Sequence, residues 1–173
     1  MKGSKPEEAV RVDAAGLRAF MGRVALERAL DELVFLCIGT DRSTGDSLGP
    51  WVGTLLEERG FSSVVGTLRN PCDALTLPKL VPALPADRQI VAIDACLGRE
   101  ESVGSYLVKR GPLLPARSMG GGIGAVGHYS VAGVVNANSL KPYWTLQSTS
   151  LYLVMEMAKA MADAIASPWT DLS

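Results

Sequence analysis

L-V-F-L-C-I-G-T-D-R-S-T-G-D-S-L-G-P, residues 33–50, sets a strand, a loop and the start of a helix side by side. Residues 33–39 are a continuous apolar run ending in glycine, the pattern of a strand buried on both faces. From about Leu48 to Arg59 the spacing predicts a helix, stopped by Gly60. Pro50 fits its first turn, where N–H groups lack helical partners anyway. The intervening loop carries two acids, Asp41 and Asp46. Asp46 or Ser47 can cap the helix and Asp41 can close an Asx-turn. Alternatively, one acid is half of a catalytic pair whose other half lies elsewhere.

Outward from this stretch the same alternation continues. Q-I-V-A-I-D-A (89–95) is a second nearly continuous apolar run. Residues 63–68 and 129–136 read as further strands, and 102–110, which alternates, as one nearer an edge. Leu17, Phe20, Met21, Val24 and Leu26 place a helix over 13–31. Residues 72–81 suit a short helix, interrupted by Pro78. Leu151, Val154, Met155, Ala158, Ala162 and Ile165 mark a long closing helix, with Ser148 or Thr149 as its cap. Strands alternating with helices predict a parallel or mixed sheet with helices on both faces. The 173 residues suit a single domain, 1–173, with a polar, candidate disordered segment at 1–12.

Asp94 ends a buried strand, where an acid is costly unless paired, hydrogen-bonded or open to water. If the strands at 33–39 and 89–95 are neighbours, the crevice beyond their C-terminal ends lies between Asp94 and Asp46. Two carboxyls brought close raise the pKa of one of them. One then holds a proton while the other takes one from water, an acid/base arrangement for hydrolysis.

Composition narrows the function classes. The chain is 47% hydrophobic and 20% charged, with net charge −1 and no basic block, so nucleic acid is not an expected partner. No apolar stretch approaches the roughly 20 residues that span a bilayer, and M-K-G-S-K-P-E-E-A-V does not open like a signal peptide. Cys37, Cys72 and Cys96 lack metal or disulfide spacing and suit reduced, packed thiols in a cytoplasmic protein. G-I-G-A-V-G (122–127) has the form G-x-G-x-x-G but follows no strand and leads into a β-like run. It suits a lid or substrate clamp better than a dinucleotide fingerprint. Arg42, Arg99 and Arg117 suit solvated surface, with an acidic substrate as the alternative. Ser43, Ser47 and Ser118 lack a G-x-S-x-G elbow. Met155, Met157 and Met161 suit core packing or oligomer contacts.

C-I-G-T-D-R-S-T-G-D-S-L-G-P, G-T-L-R-N-P, A-I-D-A-C-L-G, S-V-G, G-P-L, V-G-H and G-V-V-N, within roughly 33–165, resemble the YyaC family of sporulation proteins. That family is similar to the spore germination protease, whose proposed catalytic acids match Asp46 in T-G-D-S-L-G-P and Asp94 in I-D-A-C-L-G. The resemblance implies the phosphorylase/hydrolase-like fold of hydrogenase maturation proteases. This is a three-layer α/β/α sandwich on a five-stranded, mostly parallel sheet of order 2-1-3-5-4, with 102–110 as the antiparallel strand. It also implies a sporulation-associated, peptidase-like hydrolase without a cofactor, located in the cytoplasm or forespore. Asp46 and Asp94 would be catalytic, and Gly39, Thr40, Asp41, Gly98 and His128 would bind substrate. The expected partners are a protein or peptide, small acid-soluble spore proteins among them, and further copies of the chain. In the hydrogenase-maturation alternative, Asp46, Asp94 and His128 hold a divalent metal ion. A third expectation is a non-catalytic binding protein that keeps the crevice.

Overall fold

A computed structural model describes residues 7–115 and 124–171. Among these residues six strands form one sheet: β1 (Val10–Val12), β2 (Leu33–Cys37), β3 (Val64–Val65), β4 (Gln89–Gly98), β5 (Tyr106–Arg110) and β6 (Tyr129–Ala137), in the order β1-β5-β6-β4-β2-β3. The five strands expected from sequence stand in the expected order, and β5 runs antiparallel to β6. The sheet has one strand more than expected. Val10–Val12, read as part of a polar tail, pairs antiparallel with β5 through Val10↔Val108 and Val12↔Tyr106. Three residues carry too little pattern to mark a strand, and the waiting edge of β5 supplies what they lack.

β2 shows why the opening stretch decides the architecture. All five of its residues are buried, between β3 and β4 and beneath helices on one face. A strand covered on both faces has no use for alternation, so its sequence is uniformly apolar. Burying a side chain such as Leu33, Phe35 or Leu36 is worth about 1.5–3 kcal/mol relative to exposure. Phe35 meets Phe61 and Trp169 at ring-centroid distances of 5.4 and 6.1 Å.

The main core lies on one face, where α1 (Ala14–Glu27), α2 (Leu48–Glu58) and α5 (Leu151–Thr170) pack on the sheet. The other face is thinner. Leu36, Ile38, Cys72 and Ala92 are covered there by α3 (Leu77–Leu80) and by Leu113 and Val126. Helix α2 lies close enough to β2 that a Cβ on Gly49 would stand 2.1 Å from the Ile38 carbonyl oxygen, so only glycine fits.

Several boundaries differ from expectation. The strand expected at 63–68 is two residues long, and β5 begins at Tyr106 after a 3-10 turn, Glu100–Ser102. Ser150, rather than Ser148 or Thr149, caps α5, accepting from Leu153 N at 3.2 Å. Ser148 and Thr149 are occupied instead at the end of α4 (Pro142–Gln147), a helix the pattern did not mark. Met157 and Met161 are core residues. No helix among the described residues is long and apolar enough to cross a membrane.

Candidate functional site

The loop after β2 folds back on itself. Thr40 N donates to the Asp46 carbonyl oxygen at 3.1 Å, and Gly39 N donates to Cys72 O at 2.9 Å. Gly39, at φ 151°, sits beneath this closure, and a Cβ there would lie 2.0 Å from the Asp46 carbonyl oxygen. The chain can therefore turn back so tightly only at a residue without a side chain. The closure presents Gly45–Ser47 as a 3-10 turn that packs against β4, with α4 on its outer side.

The two acids read from the sequence both reach this edge. Asp46 is 7% exposed, on the turn; Asp94 is 4% exposed, in β4. Among the described residues they are the only buried carboxyl groups. Register connects their surroundings. Cys37 pairs with Ile93, and Ile38 N donates to Ile93 O at 2.7 Å, so Asp94 follows directly beside the start of the loop. Asp94 points to the same sheet face as Ala92, the thinner-covered one. Its Oδ1 accepts from Ala95 N at 2.8 Å.

Capping does not account for Asp46. Ser47, at the N-cap position of α2, makes no capping bond, and its hydroxyl donates to Thr44 O at 2.6 Å. Burial raises the Asp46 pKa, and the nearby Ser43 hydroxyl opposes that rise. Ser43 Oγ is buried and completes no hydrogen bond of normal geometry among the described residues. Asp41 is exposed, and the turn it was expected to close is closed by Thr40 Oγ1, which accepts from Arg42 N at 3.2 Å. Thr40 is half-buried at the rim. Gly98 ends β4, four residues beyond Asp94 and past a register shift at Cys96/Leu97.

His128 stands elsewhere. It immediately precedes β6, at the opposite edge of the sheet, where its Nδ1 accepts from Ile90 N at 2.9 Å and its own N–H donates to Ile90 O at 2.8 Å. Ile90 and Asp94 are four strand residues apart, roughly 13 Å along β4. The structure thus does not gather Asp46, Asp94 and His128 into one ligand group. Its adjacency to a G-x-G run in sequence carried no information about which end of β6 it would occupy. Among the described residues no three His, Cys, Asp or Glu side chains are grouped to hold a metal ion. Residues 116–123, with Arg117, Ser118 and most of the expected lid or clamp, lie outside the described residues.

Three features of this edge carry little mark in the sequence. Ser43 is one: a hydroxyl three residues before Asp46 looks like an ordinary loop residue. Cys72 and Cys96 are the second. Burial pushes both thiols up to about 12, and the charges of Asp73 and then Asp94 add to the rise at Cys72, that of Asp94 to the rise at Cys96. The third is the support beneath the turn, where Asn136 Nδ2 donates to Thr149 Oγ1 at 3.3 Å and Gly45 packs on Leu146 and Thr149.

A family described as a protein of unknown function (DUF1256) matches residues 13–164. An uncharacterized protein, YyaC of Bacillus subtilis (strain 168), is 40% identical over 139 residues, which cover 78% of this chain and 68% of the relative. The family match includes the β2–α2 loop and β4.

Proposed function

The chain belongs to the DUF1256 family, that of YyaC, and from that premise we propose that it is a peptidase-like hydrolase acting through Asp46 and Asp94. One observation supports the reading: the two buried carboxyls among the described residues are carried by two elements in contact, the 3-10 turn Gly45–Ser47 and strand β4. A buried acid that caps no helix and closes no turn needs another reason to be there. Asp46, whose pKa burial raises, is suited to hold a proton. Asp94 then accepts a proton from water as the water oxygen adds to a carbonyl carbon. Asp46 delivers its proton to the leaving nitrogen as the C–N bond breaks. Gly39 and Thr40 form the rim beside the reacting centre. The resemblance of T-G-D-S-L-G-P and I-D-A-C-L-G to motifs of the spore germination protease supports the substrate class we propose, a protein or peptide such as small acid-soluble spore proteins. It also adds the setting, the cytoplasm or forespore of a spore-forming bacterium.

The test is cleavage of small acid-soluble spore proteins by the purified chain, with and without chelator, beside Asp46→Asn and Asp94→Asn. Each substitution is expected to lower the rate about 100-fold or more. Activity that survives chelator separates this reading from a metal-dependent one. Wild-type protein without activity, together with a cellular phenotype that persists when both acids are replaced, rejects the hydrolase and leaves a binding protein.

A further inference from the structure

A cavity of about 330 Å³ opens at the other end of the sheet, away from Asp46 and Asp94. It lies beside the N-terminal ends of β2, β3 and β4. Its apolar wall is Phe35, Phe61 and Leu30, and its polar rim is Asp31, Arg88 and the hydroxyls of Ser62 and Ser63. The volume is at the lower end of the roughly 300–1,000 Å³ typical of small-molecule sites.

The two charges on the rim are the informative feature. Asp31 and Arg88 line one cavity yet make no ion pair with each other, and neither is paired elsewhere among the described residues. One Arg88 nitrogen, Nη1, donates to Ser63 Oγ at 2.6 Å, which holds the guanidinium at the rim and leaves its other N–H groups available. A cation and an anion that line one cavity without pairing with each other match a small zwitterion. A plain anion would meet Arg88 but also the repulsion of Asp31, and an uncharged apolar ligand would leave both charges partly desolvated and unmatched.

We propose that this cavity binds a free α-amino acid with an apolar side chain. Arg88 takes the carboxylate, Asp31 takes the ammonium group, and Leu30 and Phe61 take the side chain. Guanidinium–carboxylate pairing supplies orientation, and the apolar wall supplies the apolar contact. The site is separate from the acid pair, so the proposal stands whether or not the chain hydrolyses peptides.

Trp169 provides a built-in reporter, because its ring lies 6.1 Å from Phe35 and 6.4 Å from Phe61. In the full chain, the indole N–H resonance of Trp169, assigned with Trp169→Phe, is followed during titration with L-phenylalanine and with N-acetyl-L-phenylalanine amide. The expected result is a saturable shift with the free amino acid, at a Kd of about 1 mM or below, and none with the blocked compound. Asp31→Asn is expected to weaken binding about tenfold or more, and so is Arg88→Gln. Asp31 is exposed and makes no hydrogen bond among the described residues, so its variant tests recognition without disturbing the fold. No saturable shift overturns the proposal, as does an equal response to the blocked compound or a response unchanged by Asp31→Asn.

Discussion

At the scale of single residues, Asp46 couples the candidate chemistry to stability. Its native pKa is raised by burial, so its contribution to stability is present below the ordinary carboxylate value of 3.8 and is lost as the pH rises through the native value. The folded protein at neutral pH therefore carries the cost of a buried acid or its charge. Asp46→Asn removes that titration. Its stability relative to wild type is expected to increase from acid to neutral pH, as read by urea denaturation at several pH values. A difference that stays flat, or shrinks as pH rises, would show that the carboxyl is better solvated than its 7% exposure implies. A substitution that stabilises the fold while removing activity is the usual mark of a functional acid. Gly39 belongs at the same scale. A Cβ 2.0 Å from the Asp46 carbonyl oxygen cannot be accommodated without opening the loop. Gly39→Ala is expected to cost about 3 kcal/mol or more. Gly22→Ala in α1, where a Cβ meets nothing within 4 Å, is expected to stabilise by about 0.5–1 kcal/mol. Equal effects of the two substitutions in thermal unfolding would reject the close approach at Gly39.

At the scale of elements, β2, the loop and α2 form one device. The strand is buried throughout, the loop closes on Gly39, and α2 packs so closely that Gly49 can carry no side chain. Together they set Asp46 against β4. The strand and the helix were legible in residues 33–50, because each leaves a local pattern: a continuous apolar run, then helical spacing after a glycine-rich turn. The local readings of the two acids did not survive. Ser47 Oγ turned to Thr44 O, and Thr40 closed the turn in place of Asp41. Several nearby oxygens can serve the same N–H groups, and sequence does not rank them. α4 was missed for a related reason. Six residues beginning with Pro142 are too few to show a helical period, and the helix persists because it rests on the turn and on β6.

At the scale of the whole molecule, the sheet ends in β1, a three-residue strand on the flank of β5. Arg11 extends the attachment, donating to Ser102 Oγ at 2.9 Å. Removing residues 1–12 is expected to lower the melting temperature and speed amide exchange in β5, whose outer edge would then face water. Unchanged exchange in Tyr106–Arg110 would show that β1 adds nothing to the sheet. The chain's own patterns were enough to establish the alternation of strands and helices and the two nearly continuous apolar runs, whereas Asp94, read as a strand end, lies inside β4, which runs on to Gly98. The alternation and the runs depend on neighbours a few residues apart, which any window of sequence displays. Folding in three dimensions decided which acids share an edge, that β1 joins β5, and that His128 belongs to the far end beside Ile90. Those outcomes rest on contacts between residues distant in the chain, such as His128 and Ile90 or Asp46 and β4. Such contacts are selected by burial and hydrogen bonding of the assembled sheet, and no local pattern carries them.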